Sequence, residues 1–195
     1  MLPALVLLTC LSQLGADASP QPPALALPQS HFLPQPGDPP WLVEVARFHG
    51  HLGPWVVAGA RFGLAGLREV GAQGFFDVEV TCEGPFVKPP RSCFMDGLQV
   101  GTGATLGKQS LHWVPANKIL VRVKNTRSGK TVELCPAPQL LELLKPAPAP
   151  TKRATAAPDD HDHDRDDVAR VESLARRIAA MNEAELVIVK NTGKP

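Results

Sequence analysis

The prolines of this chain divide it before any other pattern is considered. There are 21 in 195 residues, and they crowd between Pro20 and Pro40 and again between Pro136 and Pro158. Proline fixes φ and has no amide proton to donate, so both stretches are poor sources of helix interiors and central strands. A compact core is therefore expected in one domain, residues 41–145, with extensions on either side. The hydrophobic share of 44% is enough to fill it. A formal charge of +1 gives the chain no global field toward nucleic acid or anionic membrane, so neither is expected as a partner.

The extensions read as follows. Leu2 to Leu14 is apolar except for Thr9, Ser12 and Gln13, and Ala16-Asp17-Ala18 supplies small residues before a cut at Ser19. Residues 1–18 thus read as a signal peptide, too short to span a bilayer. The protein is then exported, periplasmic or extracellular; without that signal it is cytoplasmic. Cleavage leaves Cys82, Cys93 and Cys135, an odd number that does not describe a disulfide scaffold, although a Cys82–Cys135 bridge satisfies parity. Residues 19–40 read as an extended Pro-rich tether and 146–167 as a Pro/Ala-rich acidic linker. Within that linker, Asp159-Asp160-His161-Asp162-His163-Asp164 has the residue types of a weak metal site, but a solvated acidic run is the better description. Beyond it, Val168, Val171, Leu174, Ala175, Ile178 and Met181 recur at helical spacing. Residues 168–189 are expected as a helix and edge strand that dock on the domain or on a partner.

Inside the domain, residues 41–48 have a helical period that stops at His49-Gly50. Pro54 suits the first turn of a second helix to about Val70, with Gly71 placed to end it. That helix carries Gly59, Gly63 and Gly66, each about 1 kcal/mol worse than Ala, so another element should approach closely along that face. Residues 76–82 alternate as a strand, with Phe76, Val78 and Val80 on one face and Asp77 and Glu79 on the other. A proline-bearing loop leads to a short helix over 93–100, with Ser92 as its N-cap. Residues 110–114, 119–124 and 130–134 read as strands, the last two forming a hairpin through Arg127-Ser128-Gly129; 139–145 is a brief helix. Strands grouped after helices favour an α+β fold, an antiparallel sheet flanked by helices.

Two groups of residues carry chemistry. His49-Gly50-His51 places two imidazoles, the commonest metal-ligand type, where a glycine lets both turn to one point. Otherwise one His caps the helix and the other faces water. Cys93 stands at a helix start, where unpaired amides favour thiolate, and Cys93, Asp96 and Gln99 share a helix face. Otherwise Cys93 is a small buried hydrophobe and the two polar residues are ordinary surface groups. Gly101-Thr102-Gly103 through Gly107-Lys108 has the spacing of neither a P-loop nor a dinucleotide fingerprint. The absence of any paired CxxC excludes a separate zinc finger.

In this order and at this separation, His49-Gly50-His51-Leu52-Gly53-Pro54 and Cys93 to Lys108 resemble the FmdE family of formylmethanofuran dehydrogenase proteins, whose pattern reads approximately H-G-H-L-C-P-G and then C-x-x-D-G/A-x-Q-x-x-T-G-C-T-x-G-K. Ala175 to Met181 followed by Glu185-Leu186 resembles its closing helix. The resemblance implies a helix-flanked antiparallel sheet with a cleft where the two motifs meet around a divalent metal, zinc. It makes His49, His51 and Cys93 the ligands and Cys93 and Asp96 the reacting pair, with Gln99 and Lys108 around them. Gly53 and Ala104 stand where many relatives have Cys, so an open site with two or three protein ligands plus water is expected, not a closed structural one. The function implied is metal-assisted or thiolate chemistry on a small molecule. The alternative is a non-catalytic accessory or metal-delivery protein of a larger redox or one-carbon enzyme, docking through the C-terminal helix. A homodimer is a further option. The complex that names the family works inside the cell, which an exported chain would not reach.

Overall fold

Proline and glycine bracket the first two helices. α1 (Pro40–His49) and α2 (Pro54–Val70) both open on proline and both end at glycines, Gly50 and Gly71, in left-handed backbone. A computed structural model of the protein describes residues 27–30, 32–145 and 161–191, and the side chains of all of these except 161–167 and 191. The signal-peptide reading of 1–18, the tether up to residue 26 and residues 146–160 of the linker lie outside the described residues.

The close approach implied by the α2 glycines is made by α3 (Cys93–Thr102). A Cβ on Gly59 would run into the Phe94 carbonyl, and one on Gly97 into the carbonyl of Val56. The two backbones touch with no side chain between them. Gly66 instead faces Val123 of the sheet.

The remaining elements are β1 (Val78–Gly84), β2 (Leu111–Pro115), β3 (Leu120–Asn125), β4 (Thr131–Pro136), α4 (Pro138–Leu143), α5 (His161–Ala180), α6 (Glu183–Leu186) and β5 (Val187–Asn191). They complete an α+β fold around a five-stranded sheet of order β2-β1-β3-β4-β5. Pairing is antiparallel except between β1 and β2, where α3 in the intervening chain returns β2 parallel to β1, so the sheet is mixed. Its inner face stacks Val80 on Val123 on Val132 and Cys82 on Val121 on Leu134, all buried, with α2 packed across β3 and β4. Cys135 follows Leu134 and so lies on the other face. Among the described residues Cys82, Cys93 and Cys135 are free, and the Cys82–Cys135 bridge that parity allowed does not form.

Four expectations change. Phe76 is 84% exposed and Asp77 is buried, because the Asp77 carboxylate accepts the amides of Gln73 and Gly74 and the strand begins only at Val78. Ser92 stands at the N-cap position of α3 as expected, but its backbone is already helical and its hydroxyl makes no capping bond. The last part of the tether is docked on the domain. Phe32 is 8% exposed within the core cluster, and Asp38 pairs with Arg176 of α5. Finally, α5 begins at His161 and not at Val168, so residues 161–167, read as linker, have helical backbone.

The C-terminal elements complete the domain. Ala175 and Ile178 are buried, α5 contacts α2, and β5 pairs with β4. The half-buried Arg61 guanidinium donates to the carbonyls of Ala179 and Met181, which end α5. Among the described residues, no helix is long and apolar enough to cross a membrane.

Candidate functional site

The site is assembled where the end of α1 meets the start of α3. Their separation is fixed by the backbone contact of α3 on α2. Asp96, in the first turn of α3, lies 2.7 Å from His49 through Oδ2 and Nδ1, and Gln99, one turn later, donates from Nε2 to Asp96 Oδ1 at 3.4 Å. A carboxylate beside Nδ1 accepts its proton, which leaves Nε2 with the lone pair. That Nε2 is buried and has no hydrogen-bond partner, the one such side-chain atom among the described residues. Leaving a buried polar atom unmet costs about 1–3 kcal/mol.

The His51 ring lies 4.7 Å from that of His49, tilted by 42°. Partial burial, and then the neighbouring His49, hold its imidazole below the usual range, with Glu172 pulling the other way. The shift favours the neutral imidazole, which keeps a nitrogen lone pair. A Cβ built on Gly53 would stand 3.4 Å from His51 Nε2. The side chain that the family pattern has at this position, a cysteine, would point at the same nitrogen.

His49, His51 and Cys93 all line one cavity of about 510 Å³, together with Trp55, Leu144 and Leu174. The imidazole pair and the thiol, far apart in sequence, therefore face a common space. Among the described residues, no three His, Cys, Asp or Glu side chains are gathered closely enough to hold a metal ion. Cys93 also departs from the thiolate expected at a helix start. Burial and the Asp96 charge push its thiol up, and the opposing backbone hydrogen bond is weaker.

Two of the expected neighbours stand elsewhere. Gln99 does not reach the cavity; it acts on Asp96. Lys108 bonds the Gly103 carbonyl beyond the far end of α3 and lies 5.5 and 5.1 Å from the Phe75 and Phe76 ring centroids. The ten residues of α3 separate that end from Cys93 by about 15 Å of helix rise. Ala104, the second missing cysteine, follows the same end and cannot serve this site. Conversely, the cavity has walls that motif reasoning missed: Arg91 from the loop before α3, Leu144 and Lys145 after α4, and Arg170, Val171 and Leu174 of α5. The helical period over 168–181 was the available signal for Val171 and Leu174; Arg170 lay outside it.

The family model described as FmdE, Molybdenum formylmethanofuran dehydrogenase operon, matches residues 48–188. This chain belongs to that family. The FmdE match takes in both motifs and runs through α5 into β5, so the helix that walls the cavity is part of the FmdE domain. A relative from Archaeoglobus fulgidus, described as a probable S-adenosyl-L-methionine-binding protein, is 28% identical over 93 residues. The match covers 48% of this chain and 25% of that protein, so the chain accounts for about a quarter of the relative's length.

Proposed function

We propose that the FmdE domain of this chain binds a divalent metal ion, zinc by its donor set, at an open His/Cys site, and uses it on a small molecule held in the adjoining cavity. One observation carries this reading. His49 Nε2 is buried without a partner while Asp96 holds Nδ1 on the other side of the ring. A carboxylate behind an imidazole is how ligating histidines are oriented, and a lone pair so fixed is matched by a cation. His51 and Cys93 line the same cavity, and imidazole and thiolate are zinc donors. Gly53 supports openness: it removes the side chain that would meet His51 Nε2, leaving space for water or substrate.

A zinc ion bound here would act as a Lewis acid on a substrate oxygen or would acidify a bound water. The chain's own residues prepare the place. Gln99 steadies Asp96, and Asp96 fixes the His49 tautomer and ring. The Cys93 thiol, raised by burial, stays protonated until coordination removes its proton, so free-thiolate chemistry is the weaker route. Trp55, Leu144 and Leu174 keep the cavity apolar. A purely accessory role docked through α5 has less support, because Ala175 and Ile178 of that helix are already buried in the domain.

The test is metal analysis of untagged protein purified without chelators. About one zinc per chain is expected in the wild type, and His49→Ala, His51→Ala and Cys93→Ser should each lower it. All variants retain the Asp159–Asp164 run, so residual binding there is common to every sample. Full occupancy in all three variants, or a wild type that takes up no zinc when supplied with it, overturns the proposal.

A further inference from the structure

The two imidazoles sit on a turn that packing does not hold. Gly50 joins them in left-handed backbone, and a Cβ built there would meet nothing within 4 Å. A hydrogen bond from another segment holds it instead. Ser30 donates from Oγ to the Gly50 carbonyl at 2.9 Å, and the same Oγ accepts the Phe32 amide at 3.1 Å. Phe32 is anchored in the core, with its ring centroid 5.3 Å from the Arg176 guanidinium. Arg176 joins the rest of this segment to α5. It donates from Nε to Asp38 Oδ1 at 3.0 Å, from Nη2 to the Leu33 carbonyl at 3.4 Å, and from Nη1 to Glu172 Oε2 at 3.0 Å. Glu172 follows Val171, a wall of the cavity, and its charge acts on the His51 imidazole. Ser30 and residues 32–38 thus bond the imidazole turn at one end and, at the other, the helix that walls the cavity. They precede residues 48–188, the span of the family match, whereas Gly50, Glu172 and Arg176 lie within it.

Resting on the metal-site reading, we infer that Ser30 and residues 32–38 form a strap that sets the His49–His51 turn against α5, with Ser30 and Arg176 as positioning residues of the metal site. Ser30 acts through the Gly50 carbonyl. Glycine turns freely about φ and ψ, so fixing its peptide fixes how the His51 ring is aimed relative to that of His49. Arg176 acts through Glu172. Its guanidinium is seated on the Phe32 ring and forked onto Asp38, so the remaining Nη1 holds the Glu172 carboxylate in one place. A strap serving stability alone would need only the Phe32 anchor. Its polar links run instead to the imidazole turn and to the α5 carboxylate that acts on His51. Ligands to one ion must be held within about 0.5 Å of their working geometry, which gives such links their purpose.

The test uses the full chain with Ser30→Ala, which removes the hydroxyl, Ser30→Thr, which restores it, and Arg176→Gln. Asn125→Ala is the structural control, because Asn125 donates to the Val70 and Gly71 carbonyls at the opposite end of α2. Zinc affinity is read by competition with a chelator, and ligand geometry by the visible spectrum of the cobalt(II)-loaded protein. Ser30→Ala and Arg176→Gln should each weaken zinc binding on the order of three- to tenfold, the worth of one hydrogen bond, and shift the cobalt ligand-field bands. Ser30→Thr should return both readings to those of wild type, and Asn125→Ala should lose stability while changing neither. In metal-free protein, amide hydrogen exchange over residues 49–53 should quicken about tenfold in Ser30→Ala. Unchanged affinity and spectrum in either Ser30→Ala or Arg176→Gln overturns the strap. So does a Ser30→Thr protein no better than Ser30→Ala, or an equal loss of affinity in Asn125→Ala. A wild type that takes up neither metal defeats the metal-site reading instead, and exchange then decides the strap alone: quickened exchange over 49–53 upholds it, and unchanged exchange ends it.

Discussion

Asp96 turns His49 into a group with one free end. Its carboxylate accepts from Nδ1 and cannot donate, so the imidazole proton has one place to sit and Nε2 faces inward bare. Asp96→Asn keeps the size but supplies an amide that can donate to Nδ1, which moves the proton to Nε2. Zinc affinity, read by competition with a chromogenic chelator, should fall about 10- to 100-fold in this variant with the melting temperature little changed. Equal affinity in wild type and variant would remove Asp96 from the site. The residue pattern made His49, His51, Cys93 and Asp96 legible, because two short motifs held them. It could not show that Gln99 acts on Asp96 alone, or that Lys108 lies a helix length away. A spacing along one helix says which side chains share a face but not how far the other partner reaches. Nor does a helix start reveal the thiol's state, since burial and the Asp96 charge outweigh the local backbone.

The position of the site rests on the contact between α2 and α3. Because Gly59 and Gly97 let those helices meet backbone to backbone, Cys93 and Asp96 are held at a fixed height against the α1–α2 turn that carries the imidazoles. Gly97→Ala would force the helices apart. We expect a loss of about 3 kcal/mol, read as a shift of the urea midpoint, accompanied by reduced zinc occupancy. Unaltered stability would mean that α3 can slide without consequence. The α2 glycines signalled this approach in the sequence, and Pro54 with Gly71 marked both ends of the helix. The partner was hidden, since Gly97 sat inside a motif read for its chemistry. Strand pairing was hidden too: alternation gives the face of a strand, not its neighbour, so the parallel β1–β2 pair left no trace. At the start of β1 the alternation misled, because Asp77 turns inward to bind loop amides and Phe76 is left outside.

At the level of the whole molecule, residues before α1 are tied to the far end of the chain. Arg176 donates from Nε to Asp38 Oδ1 at 3.0 Å, with side chains 17% and 7% exposed, and its guanidinium lies 5.3 Å from the Phe32 ring centroid. Burial pushes the Asp38 carboxyl up, but the Arg176 hydrogen bond and charge and the Gln35 amide prevail and hold it below the usual range. A carboxyl depressed in the folded state stabilises above its unfolded value, about 3.9, and that contribution disappears as pH falls through the folded one. Asp38→Asn should therefore destabilise by about 1–3 kcal/mol at pH 7, with the gap to wild type narrowing toward pH 3. A gap of constant size across that range would show that the pair is not the cause. Composition concealed this clasp, since a lone anchoring phenylalanine in a proline-rich stretch has no period to detect. The pairing of β5 with β4 has a consequence for synthesis. A nascent chain that has emerged only as far as residue 145 presents an open sheet edge, and the groove on α2 awaiting Ala175 and Ile178 is still wet. The ribosome must deliver the whole proline-rich stretch and the helix behind it before that edge is sealed, so the early product is a sticky intermediate in need of shelter.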